Sequence, residues 1–147
     1  MYLMGAEADF KKRKMLIFDT GVFQRLSGLN IQEVLFEDGF NPINKGNIAE
    51  LCVGLELLKA SSCYHHQDLF YWHRESLNSN AEVDYLIQKE QDIIPVEVKS
   101  GTKGTMQSLY LFLKEKNRPY GIRFSLENFS SYGQIKSYPI YSVNEIV

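Results

Sequence analysis

The chain has 147 residues, of which 44% are hydrophobic and 23% charged, and a net charge of -2. That length supports one domain and leaves little room for a second, and roughly two-thirds of the unfolded surface can be buried without disulfide or metal staples. The charge balance excludes a histone-like basic protein, although not a local basic groove.

The charge is uneven: residues 1–99 carry 10 Lys/Arg against 15 Asp/Glu, and residues 100–147 carry 6 against 3. The two cysteines, Cys52 and Cys63, suggest no disulfide framework. Together with the lack of a signal peptide they point to the cytoplasm. No apolar run is long enough to span a bilayer, so no membrane partner is expected.

Residues 1–14 are polar and end in the basic run Lys11-Lys12-Arg13-Lys14, which reads as a solvated segment. Residues 15–18 (MLIF) read as a short buried strand ending at Asp19-Thr20-Gly21, a turn or helix N-cap. A short helix should follow, with Val22, Phe23, Leu26 and Leu29 on one face. Residues 31–36 fit either helix or strand, and residues 37–45 are loop-like, with Gly39 and Pro42. The periodicity then predicts a helix from about Lys45 to Ser61. Ile48, Leu51, Cys52, Leu55 and Leu58 form one apolar stripe, and Ala49, Val53, Leu57 and Ala60 form another. At about 100° per residue, Glu50 falls in the narrow gap between them.

Residues 69–74 (LFYWHR), 82–88 (EVDYLIQ) and 93–100 (IIPVEVKS) read as three strands. Arg74 and Glu75 read as a surface pair, with Arg74 a weaker candidate for a phosphate contact. After a Gly/Lys/Thr loop containing Lys103, a helix over residues 106–116 should bury Met106, Leu109, Tyr110, Phe112 and Leu113. Residues 122–125 and 135–141 read as closing strands. The order of elements is that of an α/β domain with a central mixed sheet flanked by helices.

The hairpin over residues 82–100 carries the chemistry. Alternation puts Val83, Tyr85 and Ile87 on one side of its first strand, with Glu82, Asp84 and Leu86 on the other. A symmetric loop centred between Glu90 and Gln91 sets Asp84 directly opposite Glu97, their Cβ atoms about 5 Å apart. Lys99 lies about 6.7 Å further along the same side. Facing carboxylates repel unless a divalent cation, a shared proton or a neighbouring lysine compensates. Hard cations such as Mg²⁺ take oxygen ligands from one or two carboxylates, water and substrate phosphate. A cation held by Asp84 and Glu97 activates water, and Lys99 is placed to orient it or to stabilise transition-state charge.

The set Gly46-x-x-x-Glu50, Asp84 and Glu97-Val98-Lys99 resembles the PD-(D/E)XK nuclease superfamily. The segments KGNIAE, YWHRE, SNAEVDYLI and IIPVEVKSG, reaching back to LIFDTGVFQRLSGL, more closely resemble a C-terminal domain of uncharacterised function on many bacterial and archaeal AAA-type ATPases. The resemblance implies a restriction-endonuclease-like core over residues 45–147, with residues 1–44 as an extension packed on it. It implies that Asp84 and Glu97 ligate Mg²⁺ or Mn²⁺, that Lys99 is the catalytic lysine and that Glu50 is the helix carboxylate. Val83 stands where the motif's proline would be. Gln107 and Tyr110 resemble a Gln/Tyr motif of related exonucleases, one residue out of its usual spacing. With Arg74 and Lys103 they are weak candidates for substrate contacts.

No P-loop is present, because residues 39–45 lack the second glycine and the Ser/Thr. The resemblance therefore puts the ATPase part outside this chain. Cys63, His65, His66 and His73 match no standard zinc spacing. Two functions fit. One is a metal-dependent DNA hydrolase working with an AAA-type ATPase. The other is a catalytically silent module of the same fold that binds DNA, a protein partner or its ATPase. If the first strand and helix are severed from an upstream domain, an exposed apolar patch and a homodimer are expected.

Overall fold

The computed structural model describes residues 4–28, 42–60, 64, 68–75 and 80–146. Helix α1 spans Thr20–Leu26 and helix α2 spans Pro42–Ala60. Strands β1 (Phe70–Arg74), β2 (Ala81–Lys89) and β3 (Asp92–Val98) follow, then helix α3 (Gln107–Lys116). Strands β4 (Gly121–Ser125), β5 (Ser130–Tyr132) and β6 (Ile135–Pro139) precede a closing 3-10 helix, Ile140–Glu145.

The six strands form one mixed sheet in the order β1-β2-β3-β4-β6-β5. The β1-β2, β2-β3 and β5-β6 pairs are antiparallel, and β3-β4 and β4-β6 are parallel. Two apolar layers clasp it. Ala49, Val53 and Leu57 of α2 pack with Tyr85, Ile94, Val96, Phe124 and Val143 on one face. Leu109, Phe112 and Leu113 of α3 pack with Val83, Trp72 and Ile135 on the other. A strand covered on both faces loses alternation, which is why β3 reads as the nearly continuous run DIIPVEV. Among the described residues, no helix is long and apolar enough to cross a membrane.

The β2-β3 register follows the symmetric hairpin: Tyr85 pairs with Val96, Ile87 with Ile94 and Lys89 with Asp92. The loop is only Glu90-Gln91, and Glu90 enters the left-handed region at φ 56°. Helix α2 starts earlier than its periodicity suggests, because proline is tolerated in a first helical turn, where its missing N–H has no partner to lose. Helix α3 stops at Asn117, a left-handed C-cap whose N–H donates to the Leu113 carbonyl.

Several expectations are corrected. Residues 15–18 form no strand, and Met15 and Phe18 are 82% and 84% exposed. The segment is pinned by charge at Lys14, described below, and only Leu16 of its large residues packs against the core. Asp19 does cap α1, accepting from the Val22 N–H at 2.8 Å, but α1 buries none of its residues and both Val22 and Leu26 are exposed. Leu29 and residues 31–36 lie outside the described residues, as do Cys63, His65 and His66.

Tyr110 is exposed rather than buried, on the flank of α3, and its hydroxyl donates to the Tyr132 carbonyl at 3.4 Å. The last strand ends at Pro139, where the 3-10 helix begins. Strand β5, too short and polar to read from sequence, closes the edge.

The faces of β2 also depart from simple alternation. Val83 packs with α3, whereas Tyr85 packs with α2. Phe70 pairs with Leu86 and Trp72 with Val83, so β2 spends one more residue than β1 over this stretch. That β-bulge falls at Asp84 and Tyr85 and rotates the strand between its two faces.

Candidate active site

Parallel pairing brings the ends of β3 and β4 together. Val98 pairs with Phe124, and the Lys99 N–H donates to the Phe124 carbonyl at 2.8 Å. Glu97 is the last side chain before that end on its face, 6% exposed, and its Oε1 is 2.5 Å from Lys99 Nζ. Its other oxygen, Oε2, is buried and has no hydrogen-bond partner.

Asp84 sits at the bulge beside Glu97. Its Oδ2 accepts from the Val98 N–H at 2.7 Å, a bond that fixes the carboxylate against β3. Burial, then the charges of Glu97 and Glu50, push its pKa up to about 7, against the pull of the Val98 N–H and Lys14. Burial also raises Glu97, with Lys99 opposing.

Glu50 arrives from α2. The Tyr85 hydroxyl donates to its backbone carbonyl at 2.9 Å, which ties the helix to the bulged strand. Gly54 makes this possible, since a Cβ there would collide with that hydroxyl. Burial, then the neighbouring Glu50 and Asp84, push the Tyr85 phenol far above its ordinary range, so it stays a donor.

The residue that sequence reasoning missed is Lys14. Its ammonium lies 2.5 Å from Glu50, 2.8 Å from Glu82 and 3.8 Å from Asp84. It also lies over the rings of Tyr71 and Tyr85 at 5.5 and 5.7 Å. Burial opposes its charge, but Glu50 and Glu82 outweigh burial and its pKa rises. Nothing in the run KKRK marks one lysine as different from the others. Only the chain path brings it to the carboxylates.

The other candidates lie apart from this group. Arg74 pairs with Glu115 at 2.7 Å and joins β1 to α3. The expected Arg74–Glu75 pair is replaced, because Glu75 turns to Lys12 at 2.8 Å and His73 at 3.5 Å. Lys103 and Gln107 are exposed, in the loop after Lys99 and at the start of α3. Trp72 packs edge-on against Phe112, their ring centroids 5.4 Å apart.

The sequence reading also overlooked Arg123, which pairs with Glu97 in the β3-β4 register. It is buried and donates to the Thr102 carbonyl at 2.9 Å and to Glu127 at 3.2 Å. Thus it holds the loop that follows Lys99.

Glu50, Glu82, Asp84 and Glu97 therefore meet two ammonium groups, Lys14 and Lys99. Negative charge is in excess, and every anionic donor is an oxygen, the donor set of a hard divalent cation. Among the described residues no group of three or more His, Cys, Asp or Glu is arranged around a metal position. A Mg²⁺-type ion needs only one or two carboxylates, with water and phosphate completing its shell. The residues present fit such an ion.

A family model described as a domain of unknown function, DUF4143, matches residues 45–143. The chain belongs to the DUF4143 family. The matched DUF4143 region contains Glu50, Asp84, Glu97, Lys99 and Arg123, whereas Lys14 precedes it. No curated protein and no solved structure matches the chain.

Proposed function

We propose that this DUF4143 chain is a divalent-metal-dependent DNA phosphodiester hydrolase of the PD-(D/E)XK type, with a restriction-endonuclease-like core, acting in the cytoplasm with an AAA-type ATPase. The observation that carries the reading is the pairing of half-buried Asp84, at the bulge of β2, with buried Glu97, near the end of β3. Glu97 keeps one oxygen without a partner, and Lys99 stands beside the other.

Asp84 and Glu97 hold Mg²⁺ or Mn²⁺ in this reading. Such an ion, if bound there, would supply Lewis acidity toward the phosphoryl oxygen and favour deprotonation of the attacking water. Lys99 orients the attacking water through its ammonium, held by Glu97, and offsets charge growing on the phosphate. Glu50 accepts a hydrogen bond from that water on the α2 side. The Val98 N–H keeps Asp84 aimed inward, so no reorganisation is needed as charge develops. Lys103, Gln107 and Tyr110 are open to contact the DNA backbone beyond the reacting phosphate.

The deciding experiment measures Mn²⁺ binding by calorimetry, then cleavage of linear and branched DNA. The parent should bind and cut, Asp84→Asn should lose binding, and Lys99→Ala should lose cleavage by about 10²-fold or more. Undiminished cleavage by Lys99→Ala would reject the mechanism. The silent-module reading draws on Lys14, which already neutralises part of the acidic site. Metal binding without cleavage of any DNA would favour that module, as would sedimentation as a dimer through α1.

A further inference from the structure

Residues 7–14 run across the domain as a strap fastened mainly by charge. Glu7 pairs with Lys116 at 2.9 Å and Lys12 with Glu75 at 2.8 Å. Lys14 pairs with Glu50 and Glu82 at 2.5 and 2.8 Å. The first two pairs are open to solvent, and pairs of that kind are weak and salt-sensitive. Apolar side chains do little to hold the segment from Phe10 to Phe18, because Phe10, Met15 and Phe18 are exposed and only Leu16 packs against the core. Lys14 is the exception to this loose attachment. It is half-buried, touches three carboxylates and lies over two rings.

That position has a consequence for any cation at the neighbouring carboxylates. A divalent ion bound to Asp84 would sit within a few ångströms of the Lys14 ammonium, which is itself 3.8 Å from Asp84 Oδ1. The two positive charges repel, and both draw on Glu50 and Asp84. The second anionic oxygen at the site, Glu97 Oε2, is buried and left without a partner by either lysine. The acidic group is thus occupied from one side by the chain's own cation and left unsatisfied on the other.

We propose that Lys14 is a built-in competitor for the cation site, so that the strap must lift before a divalent ion binds at full strength. The proposal rests on reading Asp84 and Glu97 as that site. By linkage the effect is reciprocal: the strap weakens cation binding, and a bound cation loosens the strap. The DUF4143 match begins at Lys45, so the competitor lies outside the family region and acts on a site within it.

The test titrates Mn²⁺ into the parent chain, Lys14→Met, Lys14→Arg and Asp84→Asn by calorimetry, and follows trypsin cleavage of the strap with and without Mn²⁺. With the strap closed in about nine molecules of ten, removing its charge should tighten the apparent Kd about tenfold. Lys14→Arg, which keeps the charge, should bind like the parent, and Asp84→Asn should not bind. Mn²⁺ should speed cutting after Lys11, Lys12 and Arg13 in the parent and leave Asp84→Asn unchanged. If the parent binds Mn²⁺ but Lys14→Met binds no tighter, the competitor is wrong and the cation site stands. If no variant binds Mn²⁺, both fall. The proteolysis arm uses the unmutated chain, so it decides the matter even if Lys14→Met fails to fold. Cutting that is indifferent to saturating Mn²⁺ overturns the proposal.

Discussion

Glu97 and Arg123 are paired across β3 and β4 and are about equally buried, at 6% and 4% exposure. Their surroundings differ. Arg123 reaches the Thr102 carbonyl and Glu127, and Glu127 in turn accepts from the Tyr132 hydroxyl. Glu97 has one partner, a half-exposed lysine two residues away, and its other oxygen is unsatisfied. Each charge turns away from its neighbour, and no ion pair joins them. Arg123 also leaves one atom, Nε, buried without a partner, but both its terminal nitrogens are tied to groups of the fold, whereas Glu97 keeps an anionic oxygen that the fold does not satisfy. A buried charge stripped of its partners is expensive, whereas a buried charge that the fold fails to satisfy is cheap to remove.

The largest expected effect tests that division directly. Arg123→Met strands Glu127 and the Thr102 carbonyl and should lower the unfolding free energy by about 3 kcal/mol. Glu97→Gln removes a charge that burial disfavours, and should change stability by less than about 1 kcal/mol while abolishing Mn²⁺ binding. Urea unfolding of the two variants, alongside calorimetry, reads both quantities. Equal losses of stability would mean that Glu97 is as structural as Arg123.

The second effect concerns pH. Asp84 titrates at about 7 in the folded chain, above its ordinary value of 3.8. Between those values the folded protein holds a proton that the unfolded chain has released. Stability therefore falls as pH rises through that window and is level above it. Glu97 shifts in the same direction and adds to the slope. Asp84→Asn keeps an acceptor for the Val98 N–H and removes the charge, so it should be more stable than the parent at pH 8, by on the order of 2 kcal/mol. At pH 3 the two should be alike. Urea midpoints measured across pH 3–8 check this. A parent whose stability rises over the window would show that Asp84 is not crowded by Glu97 and Glu50.

Some of this was legible in the sequence and some was not, for physical reasons. The β2-β3 register was legible because a loop of only Glu90 and Gln91 leaves one symmetric pairing, which holds from Lys89–Asp92 to Tyr85–Val96. The expected Asp84–Glu97 pair lies beyond that ladder, and Asp84 is tied to β3 through the Val98 N–H instead. Helix α2 was legible from the spacing of its apolar residues. The bulge was not, since one extra residue against β1 leaves the pattern of buried positions in β2 intact and changes only which layer each one meets. The apolar run at residues 15–18 misled, because four apolar residues make a strand only if a sheet edge accepts them. Lys14 was invisible for a related reason. Its role depends on a contact with Glu50, 36 residues away in sequence, that no local pattern encodes.

The smallest expected effect sharpens the comparison at the loop that both charges border. Gly104 adopts φ 153°, which L side chains rarely adopt, and a Cβ there would lie 3.0 Å from Lys99 Cδ and 3.3 Å from its Cγ. The loop thus rests on the aliphatic stem of Lys99, while Arg123 grips the same loop two residues earlier through Thr102. Gly104→Ala should cost only about 1 kcal/mol, since the loop is exposed and the displaced stem is flexible. It should nevertheless shift the Lys99 ammonium away from Glu97 and reduce DNA cleavage more than it reduces stability. Mn²⁺ binding, which relies on Asp84 and Glu97 themselves, should be unchanged. If Gly104→Ala lowered metal affinity and cleavage together, the loop would be supporting Glu97 rather than Lys99. The Glu97–Lys99 pair would then be one rigid unit, with no separable acid and lysine.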